Sequence, residues 1–167
     1  PTDTTMSMSW NNQLVIDVAA GTITARTTGF RFVNVKSGMA LDVEGGSTQN
    51  NADIVQTAGS DSESQVWRLN YDGSGYFRIT NSKSGKVLDV PDESTADGVE
   101  LIQYDNHDGD NQVWRIVDLG NGQFKLRNKK SNKVAAVVQG STAEGAAVEQ
   151  RTEGSGDEQR WTIVPVP

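Results

Sequence analysis

Short apolar runs alternate with polar, glycine-rich stretches along almost the whole chain, at the two-residue period of half-buried strands. The fullest example runs from Val87 to Trp114, VLDVPDESTADGVELIQYDNHDGDNQVW. Within it Leu88 and Val90 flank Asp89, while Val99 and Leu101 share one parity and Tyr104 has the other. No stretch supports a substantial amphipathic helix, so the chain is expected to be all-β.

The same pattern occurs three times. Trp67, Trp114 and Trp161 fall 47 residues apart. The same offset links Phe30, Phe77 and Phe124; Asn34, Asn81 and Asn128; Ser37, Ser84 and Ser131. It also links Gln56, Gln103 and Gln150, and Gln65, Gln112 and Gln159, without a gap. Three tandem repeats follow, 30–76, 77–123 and 124–167. Each holds four strand candidates, FRIT, KVLDV, ELIQY and VWRIV in the second, with NSKSG as its first turn. Propeller blades also have four strands, but a propeller needs at least about four blades to close. Three four-stranded units closing on one another predict a twelve-stranded β-trefoil over residues 29–167. Residues 1–28 match nothing later. There TMSMSW alternates, and LVIDV and TITAR flank AAG as a hairpin would. This extension is expected to form additional strands on the main domain or the end of a preceding domain.

Strand parity assigns faces. Leu41, Leu88 and Ala135, with Val43, Val90 and Val137, should face the core, as should Ala52, Val99 and Ala146 with Ile54, Leu101 and Val148. Asp42 and Asp89 should then face outward and Tyr104 should point to solvent. Gln103 has core parity, so its amide is expected partly buried against turn backbone. The tryptophans of the three Gln-x-Trp triplets read as core plugs, with each glutamine free to bond local backbone.

Composition narrows the functions. A chain of 167 residues can bury a core without staples, and it has no cysteine. Its net charge of −7, with no dense Lys/Arg cluster, weighs against nucleic acid. No apolar run reaches the length of a membrane span and no basic apolar leader precedes Pro1, so a secreted chain whose export signal has gone is expected. One histidine, no cysteine and no glycine-framed serine exclude the common nucleophile arrangements. A glycosidase carboxylate pair is not excluded by composition, although Asp92 and Glu93 read as solvated turn residues. No cofactor or metal set is evident. His107 has no second His or Cys to join it, and the acids of DNHDGDN have the wrong spacing for a calcium loop and the composition of a turn.

From Phe30 to Val164 the chain resembles the ricin B-chain-type β-trefoil lectins, including the family 13 carbohydrate-binding modules. The match is carried by SGKVLDV followed by GVELIQYDNHDGDNQVW, echoed by SGMALDV…DIVQTAGSDSESQVW and SNKVAAV…AVEQRTEGSGDEQRW. The resemblance implies that Asp89 accepts hydrogen bonds from sugar hydroxyls and that Tyr104 stacks on the sugar's C–H face. Asn106 or His107, then Asn111 and Gln112, complete the site. His107 reads equally as a solvated loop residue. In the first repeat Asp42 and Gln65 keep the pattern and mark a candidate second site, but Thr57 and Ser64 replace the ring and the amide. In the third, Ala136 and Arg151 replace Asp89 and Tyr104, so binding of the usual kind is lost.

The expected function is therefore non-catalytic binding of a galactose-, xylose- or arabinose-containing glycan. The module would be monomeric, tethered to a glycoside hydrolase or similar enzyme, and would target it to a plant or microbial polysaccharide of the galactan, xylan or arabinan type. The alternatives are a β-trefoil protein-binding module such as a protease inhibitor, working through one protruding loop, and a lytic glycosidase.

Overall fold

The computed structural model of the chain describes residues 29–166 and, of the first 28, the backbone of three short strands. These are β1 (Ser7–Ser9), β2 (Leu14–Asp17) and β3 (Thr22–Ala25), an antiparallel sheet in the order β1-β2-β3. The expected pairing of LVIDV with TITAR is present as Ile16↔Ile23 and Asp17↔Thr22. The AAG connection and the side chains of this segment lie outside the described residues.

From Gly29 the repeats follow in order. The first comprises β4 (Gly29–Asn34), β5 (Ala40–Val43), β6 (Ala52–Thr57) and β7 (Trp67–Tyr71). The second comprises β8 (Phe77–Asn81), β9 (Val87–Asp89), β10 (Val99–Glu100), β11 (Ile102–Tyr104) and β12 (Trp114–Asp118). The third comprises β13 (Gln123–Asn128), β14 (Val134–Val137), β15 (Val148–Arg151) and β16 (Trp161–Val166). Strands β10 and β11 are one expected strand interrupted at Leu101, whose N–H donates to Val148 and whose carbonyl accepts from Ile54, one bond to each neighbouring repeat. Counted as one, they restore four strands per repeat. The helical elements among the described residues are single 3-10 turns, such as Pro91–Glu93 and Asp110–Gln112.

The first and fourth strands of the repeats form a closed ring, β4-β7-β8-β12-β13-β16, with β16 returning to β4 from Trp161↔Asn34 to Val166↔Gly29. Closure leaves this sheet no unpaired edge. The second and third strands make the hairpins β5/β6, β9/β11 and β14/β15, which meet one another through β6–β11 and β10–β15 pairing. The predicted core positions hold: Leu41, Val43, Ile54, Leu88, Val90, Leu101, Ala135, Val137 and Val148 share one cluster with all three motif tryptophans, and Ala52, Val99 and Ala146 pack against it. Trp67, Trp114 and Trp161 are fully buried, and each indole N–H donates to the carbonyl of a second-strand residue, Leu41, Leu88 and Ala135, at 3.0, 3.0 and 3.1 Å.

Two sets of buried amides tie the repeats together. Gln103 donates to the Ser47 and Gln49 carbonyls of the first repeat, Gln56 to Ser141 and Ala143 of the third, and Gln150 to Ser94 and Ala96 of the second. The expectation for Gln103 is met, except that the turn it holds belongs to a neighbour. Asn34, Asn81 and Asn128 likewise donate to backbone of the preceding repeat in the ring, at Glu158, Ser64 and Asn111. Each asparagine oxygen meanwhile caps its own first turn, as Asn81 does for Lys83 and Ser84.

Trp114→Ala should lower stability by about 3–5 kcal/mol, the range for truncating a core aromatic. Urea unfolding monitored by circular dichroism would show it, whereas Tyr104→Ala at a half-buried surface position should move the midpoint far less.

Candidate functional site

In the β9/β11 hairpin Asp89 pairs with Ile102, Leu88 with Gln103 and Val87 with Tyr104. Directly paired residues share a face, so Asp89, Ile102 and Tyr104 lie on the side away from the core, as parity predicts. The expectation that Asp89 and Asp42 face solvent is nevertheless wrong. They are only 3% and 8% exposed, because the loop after the third strand folds back over that face.

In the second repeat the 3-10 turn Asp110–Gln112 brings two amides onto Asp89. Gln112 Nε2 donates to Oδ2 at 2.6 Å and Asn111 Nδ2 to Oδ1 at 3.3 Å, while His107 Nε2 stands 3.7 Å from Oδ2. Burial raises the Asp89 pKa above the ordinary carboxylate value. The Gln112 bond, the His107 ring and the Asn111 bond oppose that rise, and Glu93 reinforces it. Gln112 also donates to the Asp105 carbonyl and accepts from the His107 N–H, so its amide is fully used.

Asp89, Tyr104, His107 and Asn111 line one depression of about 230 Å3. Tyr104 and His107 meet edge to face, with ring centroids 6.3 Å apart. Gly109 sits so close to His107 and Asn111 that a side chain there would collide with both. Asn111 is 2% exposed, and its Nδ2 is committed to Asp89 and to the Val90 carbonyl. Because both of those neighbours accept, the amide orientation is set, and Oδ1 is a buried acceptor with no partner.

Two predicted residues stand outside this depression. Gln112 is wholly buried beneath Asp89 and holds the carboxylate rather than facing the opening. Asn106 accepts from Arg78 Nε at 3.1 Å and donates to Asp108, with Arg78 also paired to Asp108 at 2.9 Å. The arginine on the first strand thereby pulls Asn106 into fixing the loop. Asp105 is taken by Lys86 and Asn50, and Asp110 by Lys129, so the loop acids are each matched to a cation or amide.

Sequence reasoning missed Asn51, Pro91, Ile102 and the pocket role of Asp92 and Glu93. Asn51 belongs to the first repeat and has a φ of 65°, where its counterparts are Gly98 and Gly145 at 79° and 83°. Glu93 similarly adopts a φ of 53° where its counterparts are Gly46 and Gly140. A side chain at a site that prefers glycine, in one repeat of three, is a signal the alignment of repeats could have given.

The candidate second site is closed on itself. Asp42 Oδ2 accepts from Thr57 Oγ1 at 2.6 Å and from Gln65 Nε2 at 3.2 Å, and Oδ1 accepts from the Val43 N–H. Gln65 also donates to Thr57 and the Ala58 carbonyl. The threonine in place of a ring therefore occupies the carboxylate it would have needed to leave free.

A closed threefold ring carrying a shallow polar depression beside an aromatic ring defines a β-trefoil module of the lectin type. The chain belongs to the ricin-type β-trefoil lectin domain-like family, whose model matches residues 10–104 and 110–167. It is similar to the designed threefold-symmetric protein ThreeFoil, at 44% identity and a TM-score of 0.80 over 81% of this chain and 96% of that one. It is also similar to the exo-β-1,3-galactanase of Clostridium thermocellum, at 40% identity and a TM-score of 0.81 over 92% of this chain, which spans 34% of the galactanase. The ricin B-like lectin of Macrolepiota procera, solved with lactose, shares the fold at 23% identity and a TM-score of 0.72, over 87% of this chain and all (100%) of that one. No curated protein matches the sequence.

Gln112→Ala should leave Asp89 Oδ2 and the Asp105 carbonyl without their donor, lowering stability by about 1–3 kcal/mol and raising the Asp89 pKa further. Urea unfolding and a carboxyl-carbon NMR titration of Asp89 would record both.

Proposed function

We propose that the second-repeat pocket binds a sugar residue of a neutral glycan and that the domain acts by binding, without catalysis. The observation that carries this reading is the Asn111 Oδ1 atom, buried and unpartnered beside the Asp89 carboxylate in a pocket walled by Tyr104. A buried acceptor without a donor is costly, and a ligand hydroxyl would satisfy it. Adjacent hydroxyls of one pyranose can then donate to Asp89 and to Asn111, while its C–H face lies on the Tyr104 ring. His107, at the rim, closes the side facing Asp89. The lactose-bound fungal lectin of the same fold and the similarity to part of a galactanase support a galactose-containing ligand. That same similarity supports a secreted module tethered to a glycan-degrading enzyme and placing it on a polysaccharide, with a weak single site made effective by tethering.

Affinity electrophoresis through gels of galactan, arabinoxylan and arabinan tests this directly. Retardation is expected on galactan, weakened about tenfold for Tyr104→Ala and abolished for Asp89→Ala. Undiminished retardation of both folded variants would sink the site, and a null result on a wide glycan array together with inhibition of a protease would favour the protein-binding alternative.

The raised Asp89 pKa gives a further expectation. The ionised carboxylate is the acceptor, so affinity should fall as pH drops through its folded-state pKa, starting above the range of an ordinary aspartate. Asp89→Asn, which cannot ionise, should bind weakly with a flat profile over that range. Isothermal titration against a galacto-oligosaccharide at stepped pH reads both.

A further inference from the structure

The third repeat has lost the counterparts of Asp89 and Tyr104, yet the same place in its hairpin is open and polar. In the first two repeats the second strand supplies a carboxylate opposite an apolar residue of the third strand, Asp42 facing Val55 and Asp89 facing Ile102. In the third repeat the pair is reversed, with Ala136 facing Glu149. The carboxylate has crossed to the other strand of the hairpin without a change of register.

Glu149 is 4% exposed. Arg151, standing where Tyr104 stands, donates to its Oε1 from Nε at 2.9 Å and from Nη2 at 2.7 Å. Oε2 accepts no hydrogen bond from the described residues and faces the opening, beside Gly98. Ala136, Gly98 and Gly140 replace Asp89, Asn51 and Glu93 of the second repeat, and the depression grows to about 280 Å3 from about 230 Å3.

Its charge changes as well. At the second repeat Lys130 is paired with Glu93 at 3.3 Å. The equivalent lysine at the third, Lys36, leans over Gly140 with no carboxylate within ion-pair distance among the described residues, and Glu158 stands on the same rim. The pocket therefore holds an internally neutralised Arg–Glu pair, an unpaired ammonium at its mouth and no aromatic platform. A neutral pyranose has nothing to stack on there. A carboxylate would find the remaining Arg151 N–H groups and the Lys36 ammonium.

We propose that the third-repeat pocket binds a carboxylate-bearing sugar, a uronate, with its carboxylate between Arg151 and Lys36 and a hydroxyl donating to Glu149 Oε2. No residue is shared with the second-repeat pocket, so the two readings stand or fall separately.

The test is a 15N NMR titration of the whole chain carrying Asp89→Ala, with glucuronate and galacturonate oligosaccharides against neutral oligosaccharides of matching length. Shifts are expected at Gln139, Gly140 and Arg151 with the uronates alone, weakening as salt is raised. Arg151→Gln and Lys36→Ala should each reduce affinity about tenfold. Lys36 is exposed, so its removal remains informative even if Arg151→Gln unsettles the buried Glu149. Gly140→Glu, which would recreate at Lys36 the ion pair made by Lys130 and Glu93, should weaken binding in the same way. Absence of uronate shifts at these residues, equal shifts with neutral sugars, or full affinity in Lys36→Ala would each overturn the proposal.

Discussion

The structure depends on buried side-chain amides that reach from one repeat into the backbone of the next. A four-stranded repeat of this size cannot bury both faces of its own sheets, and its turn carbonyls would remain unsatisfied. Gln56, Gln103 and Gln150 resolve both difficulties by donating across the repeat boundary to turns that have no other partner of that kind. Because the donations run first to third, second to first and third to second, the interaction closes a circle. The tryptophans then fill what the circle encloses, and their indole N–H groups fix the second strands at Leu41, Leu88 and Ala135. The copies are close to equivalent but not identical: Ser37 and Ser84 donate to Gln56 and Gln103, whereas the Gln150 oxygen is buried without a partner.

The candidate site is laid over this frame. Asp89 occupies the residue next to the carbonyl that Trp114 holds, and the loop bearing Asn111 is held from the third repeat by Asn128. Gln112, adjacent to a core plug, therefore works as a prop under Asp89. The cost of keeping a carboxylate there appears as its raised pKa, incompletely offset by two amide donors and a nearby imidazole. A ligand hydroxyl would supply the missing hydrogen bonds.

The ring itself was legible from the sequence, since a gap-free period and parity sufficed to place Leu88, Val90, Leu101 and Trp114. Asp89, Tyr104, His107 and Asn111 were also legible and come together around one depression. Burial of the polar face was not legible, because parity says which way Asp89 points and nothing of the loop that later covers it. Asn106 was misread for a related reason. Its partner Arg78 lies 28 residues earlier, a separation no local pattern reveals. Asn51 and Glu93 were hidden by the habit of treating each repeat as self-contained. The register swap of Ala136 and Glu149 could be seen only once the strands were paired.

The pairing of β16 with β4 has one more consequence. Gly29 and Val166 are directly opposite one another, so the polypeptide enters and leaves the ring at a single point. Nothing in the hydrogen-bonded circle marks that point as a beginning, and the numbering of the repeats reflects only where the ring happens to be cut. A tether attached on either side would start from the same place, like two leads from one ring-bolt, and would hold the three pockets at the same reach.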